Sequence, residues 1–189
     1  MALLGLGIFA WVLIALVVII ILILIMYYNR FTVLNNRIDN SLAQIDVQLR
    51  KRADLIPNLV NTIKGYRDYE KSVLLQVTKA RTAFLDASDI KGRMKAGNQM
   101  QTALKSIFAV AESYPDLKAN SNFLQLQNEL SAIEDKVAYS RQYYNDSILS
   151  YNNASKILPA KFFFNMYGFK EREFLTIPEE ARAVPKVEF

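Results

Sequence analysis

The chain is 189 residues long, with 23 Lys and Arg against 18 Asp and Glu and neither cysteine nor histidine. The missing residue types exclude disulfides, thiolate metal sites, thiol nucleophiles and the Glu-x-x-His pairs of metal-carboxylate helical bundles. A net charge of +5 suits solubility and attraction to anionic headgroups, but one Arg50-Lys51-Arg52 cluster is too thin a basic face for nucleic acid, and no nucleic-acid partner is expected.

The first element is an uncharged apolar block from Ala2 to Met26. As a helix it extends roughly 38 Å, enough to cross a hydrocarbon core of about 30 Å with some tilt. A cleaved secretory signal fits less well, since no Lys or Arg precedes Arg30 and bulky Met26, Tyr27 and Tyr28 occupy the exit. An uncleaved anchor is therefore expected, with Tyr27, Tyr28 and Arg30 at the interface. Arg30 and Arg37 follow the block closely and no basic side chain precedes it, so the positive-inside rule puts the N-terminus outside and the C-terminal part in the cytoplasm.

Beyond the anchor the pattern is heptad-like. One seven-residue column runs through Ile38, Ile45, Leu59, Tyr66 and Val73, and another through Leu42, Leu49, Ile56, Ile63, Val77 and Phe84; charges interrupt them at Arg52 and Glu70. A later pair of columns sets bulky Phe123, Leu130, Val137, Tyr144 and Tyr151 beside mostly smaller Leu126, Ile133, Ser140, Ser147 and Ala154, as interdigitating helices require. Gly65 after Lys64, a capping Asp68, the Ser88, Asp89 and Gly92 turn, and Tyr114-Pro115-Asp116 mark the breaks. Helices are thus predicted at 30–64, 69–87, 95–113 and 117–157, with Gly97 and Asn98 weakening the start of the third. Pro57 either kinks the first helix or makes the chain turn near Asp54 and restart; the unshifted heptad phase favours the kink.

The predicted fold is all-α: an N-terminal transmembrane helix followed by an antiparallel up-and-down four-helix bundle. Residues 1–29 form the tail and span, 30–158 the bundle, and 159–189 an aromatic interfacial segment and a tail, loosely ordered from Leu175 with Pro178 and Pro185. Antiparallel connectivity returns the chain to the membrane face near Leu158, where Phe162, Phe163, Phe164, Tyr167 and Phe169 lie between basic flanks. These aromatics are expected on the membrane surface or the base of the anchor, the alternative being a tail that folds back to close the bundle.

No motif for chemistry stands out. Asp39 and Asp46 share a helix face and could in principle hold a hard cation, but Asp46 also has the spacing for an ordinary ion pair with Arg50. Glu134, Asp135 and Asp146 admit the same account. No G-x-S-x-G element or phosphate-cradling loop is present. The expectation is no catalytic, cofactor-binding or metal residue, and no enzyme. Amides among apolar neighbours, including Asn145 and Asn152, are either surface polarity or register markers. Asn58 can meet a backbone carbonyl left open by Pro57. The segment holding Arg52, Asp54, Pro57 and Asn58 is the candidate partner-facing or self-assembling end.

Several runs together resemble the LemA family: Arg37-Ile38-Asp39-Asn40-Ser41, Gln44 to Arg52, Asp54 to Val60, Lys64-Gly65-Tyr66, Glu112 to Asn120, Phe123 to Gln127, Arg141 to Asp146, Tyr151-Asn152 and Gly168-Phe169-Lys170. The resemblance covers nearly the whole chain. It implies a bacterial inner-membrane protein with one N-terminal span and a cytoplasmic four-helix bundle, and it implies no reaction. The reading of the chain itself favours a non-catalytic scaffold or adaptor; the alternative is an envelope-stress or ligand sensor, or an enzyme, with a small-molecule pocket in the bundle. Expected partners are the lipid bilayer and other membrane proteins, membrane proteases among them, with self-association a further expectation; the family's associations with envelope stress, membrane proteases and, in one branch, magnetosome membranes are contextual. Arg67-Asp68-Tyr69 departs from relatives that often carry a histidine there, which argues against a required base.

Overall fold

A computed structural model describes residues 2–65 and 71–175, with the side chains of residues 2–6 and 8 excepted. The proposed cap Asp68, the predicted start of the second helix at Tyr69, the column positions Tyr66 and Glu70, and the prolines of the tail lie outside the described residues. The described residues are helical throughout their regular structure, with no strand among them. In order they are α1 (Ala2–Lys64), α2 (Lys71–Asp86), α3 (Ile90–Ala111), the single turn α4 (Pro115–Lys118), α5 (Ser121–Lys156) and the short α6 (Ala160–Met166).

Helix α1 is continuous from the apolar block through Pro57. Its apolar part has a mean hydropathy of 3.5 over eighteen residues, none buried, so by length and composition it fits a membrane anchor. Asp89 caps α3, its carboxylate accepting from the Gly92 amide at 2.9 Å, so α3 starts five residues earlier than the sequence suggests and carries Gly97 and Asn98 in its interior. The Tyr114-Pro115-Asp116 break becomes α4 before α5 begins at Ser121. The heptad columns are the buried faces: Ile38, Ile45, Leu49, Ile56, Leu59, Ile63, Val77 and Phe84 are inside, as are Phe123, Leu130, Val137, Tyr144 and Tyr151.

The chain divides into two compact units. One comprises Ser41–Gln142; the other comprises Met1–Asn40 with Tyr143–Phe189. Within the first, α2 and α3 pack side by side as consecutive helices. Its contribution from α1 meets α2 through Arg81 and Ala53, meets α3 through Asp46 and Arg93, and meets α5 through Arg52 and Glu134.

Candidate functional site

In the Ser41–Gln142 unit the interior holds a polar node. Arg52 stands on the first heptad column, where an apolar residue belongs, and is 1% exposed. A buried guanidinium is tolerable only when paired and hydrogen-bonded. Arg52 donates to Glu134 of α5, and through its other amino group to the Gly97 carbonyl of α3 at 3.4 Å. Gln101 of α3 donates to the second oxygen of Glu134. Arg141, one heptad beyond Glu134, donates to Asn98 at 2.6 Å, while its buried Nε finds no acceptor. Burial pulls the pKa values of Arg52 and Arg141 below the usual guanidinium range, and the Glu134 carboxylate opposes that pull on both.

The two α3 residues that weaken a helix on propensity alone therefore have structural roles. A Cβ on Gly97 would sit 2.8 Å from Leu49 Cδ2, so any larger residue here would force the buried Leu49 side chain of α1 to shift. Asn98 supplies the oxygen for Arg141. A cavity of about 210 Å³ lies beside the node, with Arg52 and Glu134 on its polar side and Leu104, Phe108 and Leu130 on its apolar side.

Pro57 has its own solution in this unit. The proline lacks the N–H that would bond the Ala53 carbonyl one turn back. Arg81 of α2 donates its Nε to that carbonyl at 2.9 Å, so the orphaned acceptor is met from a neighbouring helix rather than by Asn58. Asn58 instead lines an open hollow of about 290 Å³ with Leu55, Thr62, Asn122, Gln125 and Glu129. Asp54 and Pro57 are also exposed, whereas Arg52, grouped with them from sequence, faces the interior. Asp46 pairs with Arg93 at 2.8 Å.

The unit comprising Met1–Asn40 and Tyr143–Phe189 is assembled around aromatic rings. Tyr27 stacks on Phe163 at 4.6 Å between centroids, Tyr28 meets Tyr167 edge-on at 5.4 Å, and the Tyr167 hydroxyl donates to the Leu24 carbonyl at 2.7 Å. Phe31, one turn after Tyr27, is fully enclosed by Phe164 and Phe169 at 5.2 and 5.5 Å. Such offset and edge-on pairs each add about 0.5–1.5 kcal/mol beyond area burial. Gly168, at φ 71°, ends α6 in a left-handed turn; the Phe169 amide donates to the Phe164 carbonyl, returning the Phe169 ring to the cluster. The sequence-predicted interfacial residues therefore separate. Tyr27, Tyr28, Phe163, Tyr167 and Phe169 come together, Phe164 is buried among them, and Arg30 and Phe162 stay exposed.

From Phe169 to Leu175 the chain runs without regular structure and is clasped by α5. Asn152 donates to the Arg172 carbonyl at 2.9 Å and accepts from the Arg172 amide at 3.0 Å. One heptad earlier, Asn145 makes the same two-way contact with Leu175, at 3.4 and 3.0 Å. The Arg172 guanidinium reaches Asn35 at 2.7 Å and Asp39 at 3.4 Å on α1. Burial pushes the Tyr144 and Tyr151 hydroxyls above the usual phenol range, opposed by Arg172. Among the described residues no group of three or more carboxylates converges closely enough to hold a metal ion.

A helical chain led by one exposed apolar helix, with an aromatic cluster packed on that helix, belongs to the class of proteins built on a single N-terminal helix that fits a membrane anchor. A family model described as the LemA family matches residues 41–189, and the chain belongs to the LemA family. It is 25% identical over 119 residues to Protein LemA of Metamycoplasma hominis, covering 62% of this chain and 54% of that protein. It is 24% identical over 175 residues to Magnetosome protein MamQ 2 of Paramagnetospirillum magneticum, covering 79% of this chain and 64% of that protein. Magnetosome protein MamQ of Magnetospirillum gryphiswaldense is 23% identical over 175 residues, with the same 79% and 64% coverage. The chain thus spans between about half and two thirds of the length of these relatives.

Sequence reasoning missed Phe31, Arg81, Gly97, Glu134 and Arg172 as organising residues. Phe31 had a local signal, its spacing one turn beyond Tyr27. Arg81 and Glu134 had none, because their partners lie 28 and 82 residues away.

Proposed function

We propose that this chain is a non-catalytic scaffold or adaptor of the bacterial inner membrane: α1 spans the bilayer with its N-terminus outside, and an antiparallel four-helix bundle on the cytoplasmic side presents a docking face. The supporting observation is the exposed apolar length of α1, which needs lipid around it. Residues Asp54, Pro57 and Asn58, beside the hollow that Asn58 lines, are the proposed contact with other membrane proteins, membrane proteases among them, or with a second copy.

Photo-crosslinking from Asp54 and Asn58 in intact cells tests this reading. The scaffold gives a reproducible set of membrane-protein or self crosslinks that Asn58→Arg removes. Crosslinks absent from both positions, or unchanged in the variant, would overturn it.

A ligand sensor is the second reading, supported by the cavity beside Arg52 and Glu134. With Lys105 also on its lining, two cations face one carboxylate there, so a small organic acid with an apolar body is the matching chemistry. Saturable thermal stabilisation by such acids, lost in Lys105→Glu, would favour the sensor over the scaffold.

A further inference from the structure

Helix α6 has two apolar faces, and α1 accounts for only one. Ala160 and Phe164 are buried, and the Phe163 ring is stacked on Tyr27. On the other side Phe162 and Met166 stand one helical turn apart, 64% and 49% exposed, and Ile157 and Leu158, in the turn that leads into α6, are 60% and 77% exposed. A contiguous exposed apolar row of this kind marks contact with something.

Two observations say what covers it. The segment that carries these residues is tied to the anchor: Tyr167, in the turn that ends α6, bonds the Leu24 carbonyl, inside the uncharged apolar block that ends at Met26. The segment is also held at that level by the rings of Tyr27 and Tyr28. Its exposed charged neighbours are mostly basic, with Lys161 beside Phe162, Lys170 after the turn and Arg30 on α1, against Glu171 and Glu173 further along, the first of which faces Lys156 at 3.8 Å. Charge of that sign beside an apolar row suits the headgroup and acyl boundary of an anionic leaflet.

We infer that α6 and the turn leading into it form a second membrane contact, inserting Leu158, Phe162 and Met166 into the leaflet from which α1 emerges, with Lys161, Lys170 and Arg30 on anionic phospholipid headgroups. This rests on the reading of α1 as a membrane span and extends it. The depth expected for such an interfacial helix is about 5–10 Å into the headgroup and acyl boundary. One apolar helix fixes a protein to a bilayer but leaves it free to tilt and swivel; a second contact beside it removes much of that freedom.

The chain has one tryptophan, Trp11, so single-tryptophan probes are easily made. The full-length protein is reconstituted in phosphatidylcholine vesicles with and without phosphatidylglycerol, using lipids brominated either at a shallow acyl position or near the bilayer centre. Wild-type Trp11 reports the span. Two variants, Trp11→Phe with Phe162→Trp and Trp11→Phe with Met166→Trp, report α6 at exposed positions where an indole can be accommodated, and circular dichroism checks their helicity. Blue-shifted emission, quenched about two-fold by the shallow label, is expected for both variants. Adding Lys161→Glu and Lys170→Glu should weaken that quenching in phosphatidylglycerol vesicles. Water-like, unquenched emission with Trp11 still quenched overturns this inference alone, whereas an unquenched Trp11 overturns the span and the inference together. Blue-shifted but unquenched emission means that protein, not lipid, covers the row, and it also overturns the inference. Insensitivity to phosphatidylglycerol overturns the anionic-headgroup part.

Discussion

In the Ser41–Gln142 unit, interior polar groups are mostly charged side chains that answer groups on other helices: Arg52 with Glu134, Arg141 with Asn98, Arg81 with a backbone carbonyl. In the unit of Met1–Asn40 and Tyr143–Phe189, the two-way polar contacts from α5 to the extended segment come from the uncharged amides of Asn145 and Asn152, and aromatic rings cluster around α6. The difference teaches where each unit is vulnerable. A buried charge that loses its partner cannot return to water without opening the structure. An amide that loses its partner leaves one peptide group to be solvated at the surface.

The largest expected effect is at the charged node. Glu134→Ala strands Arg52 inside and should destabilise the protein by about 3 kcal/mol in denaturant unfolding followed by circular dichroism. Arg52→Met combined with Glu134→Leu should recover most of that loss, because a volume-matched apolar pair carries no desolvation cost. A Glu134→Ala loss below about 1 kcal/mol would show that water reaches Arg52 and that the two units do not differ as described.

Next in size is the carbonyl orphaned by Pro57. Arg81→Met should cost about 2 kcal/mol by leaving a buried acceptor unmet. In a Pro57→Ala background the helix regains its own N–H, so the same substitution should cost less than half as much. Equal costs in the two backgrounds would mean that Arg81 stabilises α1 for some other reason.

The smallest effect belongs to the amide clasp. Asn152→Ala removes two hydrogen bonds to Arg172 and should cost about 1–2 kcal/mol locally, read as roughly ten-fold faster amide exchange at Arg172. Global unfolding should move little. Unchanged exchange would assign the hold on this segment to the Arg172 guanidinium and its α1 partners instead.

The helical class, the apolar leading helix and many buried positions of α1, α2 and α5 were legible because heptad spacing is a local pattern, whereas no column marked the buried face of α3 from Ala96 to Ala111. Even Arg52 was visible as an interruption of its column. Its partner was not, because nothing in a single sequence says which of several acidic residues on a later helix lies opposite. Gly97 and Asn98 show the limit of propensity: both disfavour a helix in isolation, and both are kept in α3 by what another helix needs there, room for Leu49 and an acceptor for Arg141. The aromatic run was read as one group, yet ring stacking and the Gly168 turn sort it into members that pack on α1 and members that do not. Asn145 and Asn152 stood out only as amides among apolar neighbours, read as surface polarity or register markers; that a tail segment would be their partner could not be read without the fold.

That clasp has a consequence for how the sequence can drift. Asn145 and Asn152 grip peptide groups, which every non-proline residue carries alike, so the gripped stretch is free to change its side chains at most positions without losing its seat. The exception is Arg172, whose guanidinium also spans to Asn35 and Asp39. Proline at 172 or 175 would remove the donated N–H and loosen the seat outright, which makes proline the substitution the stretch tolerates least.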